Sequence, residues 1–244
     1  MAKKSTEILQ FRDVTFSYSS DKIILNKVSF QIMEGQTYAL VGPTGGGKST
    51  TAGLMARLFD PDSGLVEFKN RDIRTFETEE LTNSIGFILQ EPFLFSGTVG
   101  ENIVYGNDLI ADWDGFRLLE ELKSLGFEQI VSMFENGLET MVSDNTENIS
   151  LGQKQLISFM RILLRRPVFL IMDEATANID TVTEKLLNDI IDKLPNSTTK
   201  VIIAHRLNTI KNADQILFIN EGRVQSALDF DDAVNLIESG KRVS

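Results

Sequence analysis

Nine consecutive residues carry the first recognisable chemistry. Gly42-Pro43-Thr44-Gly45-Gly46-Gly47-Lys48-Ser49-Thr50 has the spacing G-x-x-x-x-G-K-[ST] of a loop that wraps phosphates. Such a loop must aim backbone N–H groups inward and adopt backbone angles that a Cβ obstructs, which suits Gly45, Gly46 and Gly47. The helix expected after the loop adds its positive N-terminal end. In this arrangement Lys48 reaches the β- and γ-phosphates of a triphosphate, Ser49 ligates Mg²⁺ through its hydroxyl, and Thr50 meets the α-phosphate. The alternative, a flexible glycine-rich turn, fits the strand–loop–helix setting poorly.

Two further stretches could act on the same ligand. Val168-Phe169-Leu170-Ile171-Met172-Asp173-Glu174 is an apolar strand that delivers two carboxylates at its end. In a phosphate-loop ATPase this places Asp173 next to Ser49, one layer out from the Mg²⁺ ion, and lets Glu174 polarise the attacking water. The alternative is a solvated acidic turn. Asn148-Ile149-Ser150-Leu151-Gly152-Gln153-Lys154-Gln155 opens a helix. Ser150 is a good N-cap there, and the same helix start is suited to anions.

The elements that position these residues follow from periodicity. Residues 11–18 and the alternating Val28, Phe30 and Ile32 predict half-buried antiparallel strands. Residues 38–41 predict a buried strand feeding the loop, and residues 48–59 a helix stopped by Asp60-Pro61. Strands are expected at 65–68 and 85–89, with a turn at 70–72 between them. From residue 91 to about 158 the pattern becomes mostly helical, with helices over 98–104, 111–125, 128–134 and 151–165 and a loop over 141–149. Trp113, Phe116, Leu119 and Leu122 predict one packed helical face. Strand–helix alternation then resumes: strands at 168–172, 201–204 and 216–219, an amphipathic helix over 181–194 with Thr181 and Glu184 at capping-box spacing, and a short helix at 231–238. Strands alternating with helices predict a parallel sheet with right-handed crossovers and a ligand at its carboxyl edge.

Composition narrows the function classes. The 244 residues carry a net charge of −11, with no Lys/Arg run beyond pairs, so a basic nucleic-acid footprint is absent. With no cysteine there is no disulfide framework, thiol nucleophile or cysteine metal site. No apolar stretch approaches the roughly 18 residues of a membrane helix, and residues 1–10 lack a signal-peptide core. The chain is expected to be soluble, any membrane role resting with a partner or a part of the protein not present in this sequence.

Over residues 8–240 the chain resembles the nucleotide-binding domain of an ATP-binding cassette (ABC) transporter. The resemblance rests on the loop at 42–50, the acidic strand at 168–174, and Ser150-Leu151-Gly152-Gln153 in the place of the family signature. It implies a single α/β domain of the P-loop NTPase fold: a RecA-like parallel sheet core with an N-terminal antiparallel β subdomain over 1–90 and 159–244, and an inserted helical subdomain over 91–158. It also assigns roles. Gln90 stands at the Q-loop position, contacting Mg²⁺ or water and coupling to the membrane part. Residues 175–180 resemble the loop that crosses a dimer interface. His205, the only histidine, resembles the switch residue that contacts the γ-phosphate; alone, it would read as a packed core residue. Tyr18 resembles the aromatic that stacks on adenine; alone, it would read as a core tyrosine. Pro92 to Ile103 resembles the exporter pattern after the Q-loop.

The resemblance therefore implies an ATP- and Mg²⁺-dependent ATPase on the cytoplasmic side of a membrane, powering an exporter. Its partners would be transmembrane domains and a second nucleotide-binding domain, paired head to tail as a homo- or heterodimer. Gly42 to Thr50, Tyr18, Ser150, Gly152 and Gln153 would hold nucleotide; Ser49, Gln90 and Asp173 would hold the metal; Glu174, His205, Gln90 and Lys48 would carry catalysis. Two departures stand out: Leu151 replaces the first of two glycines that usually follow the signature serine, and Ser143-Asp144-Asn145-Thr146 replaces Gly-Glu-x-Gly. The other readings are a soluble cassette ATPase of DNA repair or translation, which usually shows a coiled-coil insertion or basic surface, and a non-hydrolysing nucleotide-binding module, against which Glu174 argues. The sequence is read as a domain beginning near its junction with transmembrane helices.

Overall fold

The computed structural model describes residues 6–19, 22–89, 92–143, 149–173, 180–204 and 210–240. They divide into two compact units, one of residues 1–87, 168–174 and 196–244, the other of residues 88–167 and 175–195. The second unit thus extends past residue 158 and includes the described residues 180–195.

In the first unit, β1 (Glu7–Ser17) pairs antiparallel with β2 (Ile23–Met33) on one side and β4 (Ser63–Phe68) on the other, and β5 (Arg71–Asp72) completes a four-stranded sheet. Besides Ile8, the buried positions of β1 are Leu9, Phe11, Val14 and Phe16, a run with one odd step. A register shift between Phe11 and Val14, with Asp13 at φ 48°, absorbs that step and returns the later side chains to the core face. Lys69 and Asn70, both at positive φ, make the tight turn from β4 to β5.

The second sheet has the order β12-β11-β3-β10-β9-β6, formed by β3 (Thr37–Val41), β6 (Ile85–Ile88), β9 (Phe169–Asp173), β10 (Thr199–Ile203), β11 (Gln215–Asn220) and β12 (Arg223–Ala227). β11, β3, β10 and β9 are parallel neighbours, as the apolar runs predict. β12 was not anticipated; it returns antiparallel to β11 through Glu221 and Gly222, both at positive φ. Leu40, Phe169, Ile171, Val201, Ile203, Leu217 and Ile219 share one core with Leu9, Phe11 and Phe68 of the other sheet. Each such burial contributes about 1.5–3 kcal/mol.

α1 (Lys48–Met55) is shorter than the helix expected to residue 59. Arg57 turns left-handed at φ 53°, Arg57 N–H donates to Leu54 O at 3.2 Å, and Leu58 N–H donates to Gly53 O at 2.8 Å. These bonds close the helix before the Asp60-Pro61 turn is reached. α2 (Thr78–Ser84) was not read from the sequence. α8 (Phe230–Gly240) buries Ala233 in a small cluster with Ile216 and Phe218.

The second unit contains α3 (Val99–Val104), α4 (Gly115–Ser124), α5 (Glu128–Val131), α6 (Leu151–Leu163) and α7 (Thr181–Asp192). α4 begins later than expected because Asp114 caps it, accepting from Arg117 N–H at 2.8 Å. Its buried face is Leu118 and Leu122; Phe116, expected to pack, is 75% exposed. A four-residue step selects the stripe here, and Phe116 falls two residues before it, on the other side. Part of the expected loop at 141–149 is a strand: β8 (Met141–Val142) pairs with β7 (Gly97–Thr98). The cap of α7 is Asp180 rather than Thr181, because its carboxylate accepts from Val182 N–H at 3.0 Å and from Thr183 N–H at 3.1 Å.

Candidate functional site

The phosphate-loop residues lie where β3 ends and α1 begins. Gly42 has φ 141°, and a Cβ there would sit 2.0 Å from Ile219 O of β11. The loop is therefore pressed onto the neighbouring strand at a distance that only glycine allows. Gly47, at φ 110°, is the N-cap of α1, and no side chain caps that end. α3, α4, α6 and α7, by contrast, each begin with a side-chain cap. No acidic residue stands in the first turn of α1 to compete with an anion at that end.

Lys48 is 6% exposed, and its Nζ donates to Gly42 O and Pro43 O at 3.0 Å each. The ammonium is held inside the loop by the loop's own carbonyls. Gly46 N–H donates to Pro43 O at 3.1 Å, and Thr51 Oγ1 donates to Gly47 O at 2.8 Å, which ties the loop to the helix. Ser49 is exposed while Thr50 is buried. The Thr50 hydroxyl shares a 3.0 Å hydrogen bond with the Tyr18 phenol. Tyr18 itself is 59% exposed, so it is no core tyrosine.

Sheet register aligns the second constellation with the loop. Ile203 of β10 is level with Leu40 of β3 and with Asp173 of β9. Asp173 thus ends its strand two strands away from the one that feeds the phosphate loop, about 10 Å across the sheet. α1 packs against β9. A hydroxyl from Ser49 is a hard oxygen donor of the kind Mg²⁺ takes while keeping several of its waters, and the Asp173 carboxylate is a hard acceptor for such a water. The donor set fits that ion, and no group of three acidic, His or Cys side chains competes for it among the described residues.

Ser150 belongs to the second unit. Its Oγ accepts from Gln153 N–H at 3.1 Å, and its N–H donates to Gln153 Oε1 at 2.9 Å, a reciprocal capping box. Gln153 Nε2 donates on to Met133 O at 3.2 Å. The capping role of Ser150 is thus realised, with Leu151 exposed at the first helical position. Asp180, at the end of 175–180, is held below the usual carboxylate range by hydrogen bonds from Thr183. Gln90, Glu174, His205 and the stretches 144–148 and 175–179 lie outside the described residues.

Two contributors near the loop were not read from the sequence. Phe59 and Phe16 both hold the Tyr18 ring edge-on, at 5.3 and 5.0 Å between centroids. In the sequence Phe59 is an apolar residue beside a turn, and nothing marks it as a neighbour of Tyr18.

A family model described as ABC transporter matches residues 25–177. The chain is 42% identical over 219 residues to an uncharacterized ABC transporter ATP-binding protein, YfiC, of Bacillus subtilis, covering 90% of this chain and 36% of that protein. It is 38% identical over 216 residues to a probable multidrug resistance ABC transporter ATP-binding/permease protein, YheH, of the same organism, covering 88% of this chain and 32% of that one. Its fold matches a bacterial Atm1-family ABC exporter solved with ATP bound, with a TM-score of 0.84 and 30% identity, over 100% of this chain and 43% of the exporter's. The chain therefore spans about a third of the length of these curated relatives.

Proposed function

Since the chain belongs to the ABC transporter family as an ATP-binding ATPase domain, we propose that it drives an exporter by binding two ATP molecules between paired copies of such a domain and hydrolysing them. The observation that carries this reading is the loop at 42–50: a helix N-terminus without a side-chain cap and a buried lysine ammonium meet there, just past Leu40, which is level with Asp173 across the sheet. In this proposal the N–H groups of α1 and the Lys48 ammonium take the β- and γ-phosphates. Ser49 and Gln90 would hold Mg²⁺, with Asp173 one layer out, and the ion would supply charge neutralisation at the phosphates.

Glu174 accepts a proton from the attacking water as its oxygen bonds to the γ-phosphorus and the bond to the β–γ bridging oxygen breaks. His205 steadies the γ-phosphate. Ser150, Gly152 and Gln153 close the site of the partner domain, and the transmembrane partner places the domain on the cytoplasmic side of its membrane. The exporter assignment leans on the relatives' names, several of which are ATP-binding/permease proteins.

The test separates binding from chemistry. Lys48→Ala should abolish measurable ATP affinity by calorimetry. Glu174→Gln should bind ATP as the parent does while hydrolysis falls by roughly 10²-fold or more. Normal turnover in Glu174→Gln would move the base elsewhere, and unchanged affinity in Lys48→Ala would end the site assignment.

A further inference from the structure

We propose that Phe59, seated on Gly53 of α1, is a positioning residue that sets the Tyr18 ring for the base of the nucleotide; this rests on the ATP-site reading above. The Tyr18 ring is held at three points. Its hydroxyl meets Thr50 Oγ1 at 3.0 Å. Phe16 and Phe59 stand nearly perpendicular to it, at 86° and 88°. The two phenylalanines also touch one another, with centroids 5.5 Å apart. With three contacts on a ring that stays mostly exposed, Tyr18 is mounted rather than buried.

Two of the three contacts come from α1 and the turn that ends it. That helix closes early, so Leu58 and Phe59 fold back along it. The Phe59 ring then lies against Gly53, where an added Cβ would stand 2.9 Å from Cε2 and 3.0 Å from Cδ2. Glycine at 53 thus sets how deep Phe59 sits, and Phe59 sets the tilt of Tyr18. The helix that presents Lys48, Ser49 and Thr50 to phosphate also carries, through Thr50 and Phe59, the platform for the base. A ring held in advance need not be ordered on binding, which strengthens association. A hydroxyl can accept one hydrogen bond while donating another, so Thr50 can accept from Tyr18 and still donate to a phosphate oxygen.

The consequence is selective: the mount contributes to ligands with a base and nothing to a bare triphosphate. Calorimetry with MgATP and with magnesium tripolyphosphate, on the full chain, tests it. Phe59→Ala and Gly53→Ala should each weaken ATP about three- to tenfold, a fraction of the loss expected when a stacking ring is removed. Tripolyphosphate affinity should stay within about twofold, and Phe59→Tyr should restore ATP binding. Gly53→Ala moves the ring without deleting it and favours the helix, so it carries the test even where Phe59→Ala fails to fold. Unchanged ATP affinity in Gly53→Ala would overturn the proposal. An equal loss for both ligands would overturn it too, showing that Phe59 merely supports α1. Unchanged ATP affinity in Lys48→Ala would instead remove the underlying site.

Discussion

Single residues near the loop act through distances as much as through chemistry. Gly42 is the clearest case, because its missing Cβ is occupied by Ile219 O. Gly42→Ala must push β11 away or distort the loop, and φ 141° adds strain for any L side chain. It should lower unfolding free energy by about 2–4 kcal/mol in denaturant titrations and weaken ATP together with it. Tyr18→Ala should behave differently. Its ring is mostly outside the core, so stability should change little while ATP affinity falls by about 1–3 kcal/mol. Tyr18→Trp should keep the affinity. An alanine variant with parental affinity would show that no base stacks there.

At the scale of elements, polar anchors decide how helices meet loops. Asn102 of α3 is buried, and its Nδ2 donates to Phe95 O at 2.9 Å and Thr98 O at 3.0 Å, while its Oδ1 accepts from Phe95 N–H at 2.8 Å. Arg161 of α6 donates to Asn102 O at 2.7 Å and to Phe93 O at 3.0 Å. Burial lowers the Arg161 pKa, yet a guanidinium stays charged in proteins, so its carbonyl partners compensate its desolvation. Asn102→Leu strands several backbone groups at once and should cost about 3 kcal/mol or more in chemical denaturation. α7 shows a pH-dependent anchor. The folded pKa of Asp180 is depressed by Thr183, so the cap contributes stability above the ordinary carboxyl pKa and loses it as pH falls through the folded value. Asp180→Ala should lower the melting temperature at pH 7 and make less difference at pH 2–3. An equal shift at both pH values would mean that the charge plays no part.

For the whole molecule, the prediction is association. A phosphate loop leaves one side of the γ-phosphate open, and a two-fold pair is self-complementary. The isolated chain should be monomeric without nucleotide. Glu174→Gln with ATP and Mg²⁺ should dimerise in light scattering, since ligand buried between copies is linked to association. The net charge of −11 per copy opposes pairing, so added salt should favour it. Leu151 projects an exposed side chain from the first position of α6. If Leu151→Gly pairs where the parent stays single, the natural partner is a different chain. A monomer in both, well above assay concentrations, would count against the paired arrangement.

Local rules read from the sequence alone determined the phosphate loop at 42–50, the apolar strand ending in Asp173, the cap at Ser150 and the alternation that builds a parallel sheet. Each needs only a few adjacent residues with fixed spacing, which a linear chain displays. Tertiary structure decided the rest. α1 stops at Met55 because Arg57 adopts a left-handed backbone, which its side chain does not announce. Asp180 outcompetes Thr181 as a cap because its carboxylate reaches two N–H groups. β8 exists only because Gly97 and Thr98, over forty residues earlier, offer it a partner. The order β11-β3-β10-β9 places strands from distant parts of the chain beside the loop, and the mount of Tyr18 joins Phe16, Thr50 and Phe59. The β8 pairing, the strand order and this mount come from packing between segments remote in sequence, and no local spacing encodes which surfaces will meet.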